Sequence, residues 1–214
     1  MKKSAGTKRW MLLQHDRSFL DQGFSSLAGV DEAGRGPLAG PVVASAVIVR
    51  DFSFLAEIDD SKKMSARARA AAYEEILQKA IVGIGIAEAE AIDRINIYQA
   101  SLRVMEEAVM KLRETPDCVL VDGPKTPNLP FKQVGIVDGD AVSFSIACAS
   151  VVAKVTRDRI MEYYDDLYPE YGFKDHKGYG TKAHLEALKK YGPCRIHRKS
   201  FEPVRLASQQ NIAY

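Results

Sequence analysis

The sequence predicts an α/β domain followed by a helical C-terminal extension. Short apolar segments rich in Val, Ile and Ala dominate the first two-thirds of the chain, and segments with helical periodicity lie between them. The last third contains only helical patterns, so we expect an extension there and not a second sheet. The length of 214 residues fits one medium-sized domain, and a hydrophobic content of 46% is enough to build a core without disulfides.

Five segments of the chain are predicted to be β-strands. In the third of them the bulky residues Val82, Ile84 and Ile86 alternate with small ones, as expected for a strand with one closely packed face. The other segments are short and apolar, and turn-forming residues follow several of them. The predicted strands are Leu27–Val30, Pro41–Val49, Val82–Ala87, Cys118–Val121 and a segment near Lys132–Val137.

The predicted helices are bounded by capping and helix-breaking residues. Ser65 and Thr181 are suitable N-caps, because their hydroxyls can accept hydrogen bonds from free amides of the first helical turn. Prolines follow three of the helical patterns and end them. The helices predicted from these signals are residues 65–80, 102–112, 144–168 and 181–191.

The domain boundaries follow from where these patterns begin. We expect residues 1–26 to form a polar arm with one helical turn near Trp10–Leu13, and residues 27–214 to form the main domain, with its extension starting at about residue 170. No segment has the length and apolarity of a membrane-spanning helix or a signal peptide. The three cysteines are far apart and suggest no disulfide framework, so we expect a reducing, cytoplasmic location.

Basic residues are concentrated near the C-terminal end, although the formal net charge is only +2. Residues 174–199 contain eight Lys or Arg, two acids and three of the four histidines. Such a local excess of positive charge attracts a polyanion, and the alternative is a solvated helical face. The same segment contains Cys194 and His197, but their spacing matches no standard zinc motif.

Acidic residues occur at the ends of two predicted strands. Asp31 and Glu32 follow the first strand, Asp122 ends the fourth, and Asp140 lies in a turn just before a helix. Because ligands of open α/β sheets gather at strand ends, we expect these carboxylates to share one crevice, provided that the next turn re-aims Glu32. Two Mg²⁺ or Mn²⁺ ions would relieve their repulsion and support phosphodiester hydrolysis. Taken singly, each acid has the alternative of being an ordinary turn residue.

A glycine turn and an isolated tyrosine are candidates for contacts with the substrate. The Gly34–Gly36 turn follows the acids, and its glycines would let backbone amides approach an anion closely. Tyr179 lies between two glycines in the basic segment, where it can stack on a base or sugar or pack back onto a helix. Lys62 and Lys63 in a predicted loop are either phosphate contacts or surface charges.

Seven blocks of sequence, in one order, resemble the ribonuclease HII family. The longest begins at Ala28 and reads AGVDEAGRGPLAGPVV, and together the blocks extend to Val204. Several long motifs in a fixed order make the resemblance specific. The blocks are residues 28–43, 60–63, 119–123, 139–140, 149–158, 176–179 and 197–204.

The resemblance implies a ribonuclease H-like fold, in which a central mixed β-sheet is flanked by helices. It implies an endonuclease that hydrolyses the RNA strand of RNA–DNA hybrids. It also implies cutting 5′ to single ribonucleotides embedded in duplex DNA, leaving 5′-phosphate and 3′-hydroxyl ends. We expect a monomer that binds these nucleic acids and no membrane. The catalytic residues, which would hold two Mn²⁺ or Mg²⁺ ions, are then Asp31, Glu32, Asp122 and Asp140.

The resemblance also assigns substrate-binding roles. The Gly-Arg-Gly motif and the tyrosine would sense the 2′-hydroxyl where a ribonucleotide is followed by a deoxyribonucleotide, and the lysines would hold phosphates. In one departure from the family pattern, Asp138 stands where a lysine is common and adds negative charge beside Asp140. The implied substrate-binding residues are Gly34, Arg35, Gly36, Lys62, Lys63, Lys154 and Tyr179.

Three other functions are less compatible with the sequence. Ribonuclease HIII shares the catalytic domain but carries a sizeable N-terminal substrate-binding domain, which the 26 residues before the first predicted strand are too few to form. A binding module without turnover would lack at least one of the four carboxylates. A two-metal phosphoesterase for small substrates would not need the basic C-terminal segment.

Overall fold

The computed structural model describes residues 5–210 and builds them from a five-stranded sheet with seven helices in that range. Residues 1–4 of the predicted arm and residues 211–214 of the predicted domain lie outside the described residues. The elements in chain order are α1 Ala5–Leu20, β1 Leu27–Ala33, β2 Val42–Val49, α2 Ala66–Lys79, β3 Ala80–Ala87, α3 Ala89–Met110, β4 Cys118–Asp122, β5 Lys132–Ile136, α4 Phe144–Leu167, α5 Phe173–His176, α6 Lys182–Tyr191 and α7 Glu202–Gln210.

The sheet is mixed, with strand order β3-β2-β1-β4-β5, which confirms the predicted fold class. β1, β2 and β3 pair antiparallel, whereas β1, β4 and β5 pair parallel. Val30 of β1 lies opposite Val121 of β4, so the next residues along these strands, Asp31 and Asp122, are brought to the same edge of the sheet. The parallel pairing therefore joins acids that are far apart in the sequence.

Two long helices cover the two faces of the sheet. α3 packs on one face and α4 on the other, and both contact the central strands β1 and β2. On the α3 side, Val30 and Val104 belong to one buried cluster, and on the α4 side Val47 and Val152 belong to another. The predicted close packing on β3 is present, because a Cβ added at Gly85 would lie 2.0 Å from the carbonyl oxygen of Val104.

The N-terminal segment differs from the predicted arm with one helical turn, since α1 is a helix of 16 residues. Its Leu12 is 1% exposed, and its Asp16 is buried against the start of α4. The Asp16 carboxylate accepts hydrogen bonds from the hydroxyl of Ser143 at 2.6 Å and from the amide of Ser145 at 2.8 Å. A carboxylate at a helix N-terminus is favourable, so a tertiary contact stabilises a segment whose own pattern was weak.

Three further helical segments were not predicted: the first part of α3, the short α5 and α7. α3 begins at Ala89, well before the predicted start near Leu102, and is interrupted at Asn96, whose φ is 64°. The Asn96 side chain accepts a hydrogen bond from the amide of Gln99 and so restarts the helix as an internal N-cap. α7 follows the last block of the family motif. No helix among the described residues is long and apolar enough to cross a membrane.

Candidate active site

The first strand carries both leading acids. β1 continues to Ala33, so Asp31 and Glu32 lie within the strand and not in the turn that was expected to follow Val30. Alternation along the strand points Asp31 toward α4 and Glu32 toward the α3 side. Both nevertheless line one cleft of about 370 Å³ together with Asp122, because all three lie where β1 and β4 end.

Asp31 is the most deeply buried of these carboxylates that line the cleft, with 4% of the residue exposed. Its Oδ1 accepts a hydrogen bond from the amide of Glu32 at 2.7 Å, and the hydroxyl of Ser150 on α4 also supports it. Burial, and then repulsion from Glu32 and Asp122, raises the pKa of Asp31 well above its ordinary value. The ionised form of this carboxylate therefore lacks compensating positive charge.

One carboxylate oxygen of Glu32 faces a positive charge, and the other has no hydrogen-bond partner among the described residues. Its Oε1 lies 3.2 Å from a guanidinium nitrogen of Arg35, while its Oε2 is buried with no hydrogen-bond partner in the described part of the chain. Burial raises the pKa of Glu32, Arg35 opposes this increase, and Asp122 adds to it. Buried oxygens without partners are costly, so the orphan Oε2 marks a position where a cation would bind favourably.

Asp122 is hydrogen-bonded to the turn that contains Asp140. Oδ1 of Asp122 accepts from the amide of Gly139 at 2.7 Å, which places the turn at Gly139–Ala141 beside the end of β4. Asp140 is 7% exposed, and burial followed by the charges of Asp60 and Asp122 raises its pKa. Asp138 is exposed and takes a left-handed conformation with φ of 53°, so it shapes this turn.

The carboxylates fit a divalent metal of the Mg²⁺ or Mn²⁺ type. Their donors are all oxygens, which hard cations prefer. Burial, followed by neighbouring carboxylates, raises the pKa values of Asp31 and Asp140, and Oε2 of Glu32 has no hydrogen-bond partner among the described residues. Among the described residues no three or more His, Cys, Asp or Glu side chains have already closed into a metal-binding group.

The glycine turn lies directly beside these acids. Gly34 has φ of +99°, and a Cβ there would lie 2.1 Å from Nε of Arg157, so both conformation and space require glycine. A Cβ at Gly36 would lie 3.6 Å from the nearest atom, Cε1 of Tyr179, which is an ordinary contact. Tyr179 is 46% exposed and lines the same cleft. The fold therefore needs Gly34, whereas a Cβ at Gly36 would fit against the ring of Tyr179 without strain.

The three predicted lysines occupy different positions. Lys62 lines the cleft, and its Nζ lies 4.0 Å from Oδ2 of Asp140. Although partial burial lowers it, the pKa of Lys62 is raised overall by Asp140 and other nearby carboxylates. Lys154 also lines the cleft and pairs with Asp158 at 2.7 Å. Lys63 is absent from the lining, and its ammonium pairs with Asp60 at 2.8 Å.

The cleft also contains residues to which the sequence assigned no role. Ser61 and Ser150 bridge its floor through a hydroxyl–hydroxyl hydrogen bond of 2.9 Å, and Arg157 contributes a buried guanidinium. Ser150 and Arg157 belong to the block at residues 149–158, so the motif marked them without indicating what they contact. Their roles depend on the packing of α4 against β1, which no local pattern encodes.

The Cys–His group in the basic segment consists of His184, Cys194 and His197, whose side chains contact one another. Nε2 of His184 and Nε2 of His197 share a hydrogen bond of 3.1 Å, and Sγ of Cys194 lies 3.1 Å from Nδ1 of His197. Burial, and then the neighbouring His184, lowers the pKa of His197 to about 3. Nδ1 of His184 lies 2.9 Å from the carbonyl oxygen of Tyr179. This cluster therefore supports the loop that carries the tyrosine.

Comparisons with known proteins identify the family of this chain. The family model described as Ribonuclease HII matches residues 28–204. A ribonuclease HII of Bacillus subtilis is 51% identical over 206 residues, which cover 95% of this chain and 80% of that protein. The crystal structure of the ribonuclease H2 from Pyrococcus horikoshii OT3 superposes with a TM-score of 0.76 at 23% identity, covering 89% of this chain and all of that one.

A ribonuclease HIII structure also shares the fold. Bst-RNase HIII in complex with Mn²⁺ superposes with a TM-score of 0.69 at 18% identity, covering 88% of this chain and 70% of that one. At that identity the likeness concerns the fold alone, whereas the family match and the 51% identical relative concern the whole cleft-bearing region. The chain belongs to the ribonuclease HII family and is a metal-dependent endonuclease with ribonuclease H activity on RNA–DNA hybrids.

Proposed function

We propose that this enzyme cuts 5′ to single ribonucleotides embedded in duplex DNA, as well as within the RNA strand of hybrids, and leaves 5′-phosphate and 3′-hydroxyl ends. The observation that carries the proposal is one cleft with carboxylates at its floor and a glycine turn opposite Tyr179 at its side. A cleft that combines a hydrolytic centre with a narrow backbone surface suits recognition of one sugar within a duplex.

The carboxylates would form the hydrolytic centre. We infer that Asp31, Glu32, Asp122 and Asp140 hold two divalent ions, which when bound supply a nucleophilic water and stabilise the leaving oxygen. Asp31 is kept in position by the amide of Glu32 and by Ser150. The Asp122 carboxylate fixes the turn that carries Asp140. Lys62 is poised to balance a phosphate near Asp140.

The glycine turn and the tyrosine would choose the cleavage position. The absence of a side chain at Gly36 lets a ribose approach the backbone, and a 2′-hydroxyl is the group that distinguishes RNA from DNA. Tyr179, exposed toward the cleft, would stack on the next sugar, where a second 2′-hydroxyl would interfere. Lys154 and Arg35 would contact phosphates and position the strand. We also infer that the protein acts as a monomer.

The test is cleavage of a labelled duplex that contains one ribonucleotide, in Mg²⁺ or Mn²⁺. We expect a single cut immediately 5′ to the ribonucleotide, with a 3′-hydroxyl that a polymerase extends and a 5′-phosphate that a ligase accepts. An all-DNA duplex of the same sequence and a uniform RNA–DNA hybrid serve as the two references. Cutting of the hybrid with no cut at the single ribonucleotide would contradict the proposal.

A further inference from the structure

Two arginines are buried beneath the glycine turn without an acidic partner. Arg157 is 1% exposed and Arg198 is fully buried, and within the described part of the chain neither forms an ion pair. Burial, and then the neighbouring Arg157, lowers the pKa of Arg198 to about 9, which leaves its guanidinium charged at neutral pH. A buried charge without a counter-ion is costly, so its hydrogen bonds have to be extensive.

The guanidinium of Arg198 donates hydrogen bonds to backbone carbonyls of the turn. Its Nη2 donates to the carbonyl oxygen of Gly34 at 2.6 Å, and its Nη1 donates to that of Arg35 at 2.9 Å. Its Nε donates to the carbonyl oxygen of Gly40 at 3.0 Å, and its own amide donates to Leu38. One guanidinium therefore holds two successive peptide groups of the Gly-Arg-Gly turn from below.

These contacts dictate where the amides of the turn point. In a planar trans peptide the N–H points opposite to the C=O, and the described chain has no cis peptide bond. Because the carbonyls of Gly34 and Arg35 point at Arg198, the amides of Arg35 and Gly36 point away from it. Among the described residues neither amide donates a hydrogen bond to the protein. Two adjacent free amides form a concave site for an oxygen atom with negative charge.

Arg157 holds the segment that follows the turn and packs against Gly34. Its Nε donates to the carbonyl oxygen of Pro41 at 2.9 Å, and its Nη2 donates to that of Ala39 at 3.2 Å. Its guanidinium carbon lies 6.0 Å from the centre of the Tyr179 ring, and its side chain fills the space that a Cβ at Gly34 would need. Arg157 thus ties the turn to the ring across the cleft.

We propose that Arg198 is the positioning residue for ribonucleotide recognition, because it turns the amides of Arg35 and Gly36 toward the cleft as paired donors for a sugar or phosphate oxygen. Its charge also polarises both peptide groups, which makes their N–H groups stronger donors. This inference rests on the proposed function and adds the group that orients the reading turn. Arg198 touches neither the substrate nor the metal-binding carboxylates and acts through the backbone.

The test compares the wild type with Arg198→Lys. Lysine keeps the charge, but its single ammonium cannot hold the two carbonyls in the fork geometry of a guanidinium. We expect kcat/KM on the single-ribonucleotide duplex to fall about 10- to 100-fold, as expected when a contact is misplaced by up to about 1 Å. The Kd for an all-DNA duplex of the same sequence, measured in Ca²⁺, should change less than twofold. Arg159→Lys, at an exposed arginine on α4 that pairs with Glu74, is the matched control.

A second measurement separates positioning from loss of fold. The amide NMR resonances of Arg35 and Gly36 should shift in Arg198→Lys and stay in place in Arg159→Lys, while both variants unfold cooperatively. Cleavage by Arg198→Lys within threefold of the wild type would overturn the inference, as would unmoved amide resonances or a parallel loss of all-DNA binding. If the wild type itself leaves the single ribonucleotide uncut, the proposed function fails first, and the NMR comparison still decides the role of Arg198.

Discussion

The carboxylate centre and the glycine turn are adjacent, yet they handle buried charge in opposite ways. At the centre, Asp31, Glu32 and Asp140 have raised pKa values and one carboxylate oxygen has no partner, so the site is electrostatically incomplete. At the turn, Arg198 is equally buried, but its donors are used by three carbonyls. The difference teaches that the carboxylates lack charge that a cation from solution would supply, whereas the fold itself supplies the partners of the buried arginine.

The largest expected effect comes from Asp31→Asn. Loss of a metal-binding carboxylate removes several kcal/mol of transition-state stabilisation, so we expect cleavage to fall by about 10³-fold or more. Binding of the single-ribonucleotide duplex should stay within a few-fold of wild type, because the turn and the lysines are intact. Single-turnover kinetics and fluorescence anisotropy measure the two quantities. A variant that still cuts at the normal rate would contradict the site assignment.

Asp31→Asn also tests whether the carboxylate centre lacks compensating positive charge. An acid with a raised pKa in the folded protein contributes stability that is present below its unfolded pKa and lost as pH rises through the folded value. Without metal, Asp31→Asn should therefore melt at a higher temperature than wild type at neutral pH, and this advantage should shrink in acid. Mg²⁺ should raise the Tm of the wild type more than that of the variant. Equal Tm values for the variant and the wild type at all pH values would contradict the interpretation that the carboxylate centre lacks positive charge.

The two glycines of the turn should separate stability from recognition. Gly34→Ala strains a residue with φ of +99° and displaces Arg157, so it should lower the Tm and the cleavage rate together. Gly36→Ala has room for its Cβ and should leave the Tm unchanged, while cleavage at a single ribonucleotide falls about 10- to 100-fold because the sugar is held away from the backbone. Thermal melts and kcat/KM distinguish these outcomes. A large loss of stability in Gly36→Ala would refute this division.

A smaller effect is expected for Tyr179→Ala. Loss of a stacking platform typically costs about 1–3 kcal/mol, and for a half-exposed ring we expect the lower half of that range, or roughly tenfold in kcat/KM at a single ribonucleotide. The Kd for an all-DNA duplex should change less, and Tyr179→Phe should retain most of the activity because it keeps the ring. Equal losses of cleavage and duplex binding would count against a role in reading the junction.

The smallest expected effect distinguishes two neighbouring lysines. Lys62→Ala removes a cleft-lining charge near Asp140 and should raise KM about two- to fivefold. Lys63→Ala removes only a surface pair with Asp60 and should leave KM unchanged. Steady-state kinetics at low and moderate salt measure the difference, which should shrink as salt rises. Identical behaviour of the two variants would show that the cleft makes no distinction between them.

Much of the framework was predictable from local pattern. The alternation in β3, the Ser65 and Thr181 caps and the end of α4 before Pro169 are set by neighbouring residues, and each is present. The start of α3 was not predictable, because an internal cap at Asn96 restarts the helix. The N-terminal helix was also missed, since its stability comes from burying Leu12 and Asp16 against distant elements.

The sequence by itself determined the family and the mixed-sheet fold, because these are carried by contiguous motifs and strand patterns, and it predicts the four acids as the metal site. Only the tertiary structure decided that β1 extends through Asp31 and Glu32, and that Lys63 pairs with Asp60 outside the cleft lining. It also decided that Arg198 reaches back across 164 residues to hold Gly34. The physical reason is that a buried guanidinium donates to the carbonyl oxygens that the fold places beside it. Here those carbonyls belong to a segment that is distant in the sequence, so no local pattern encodes the contact.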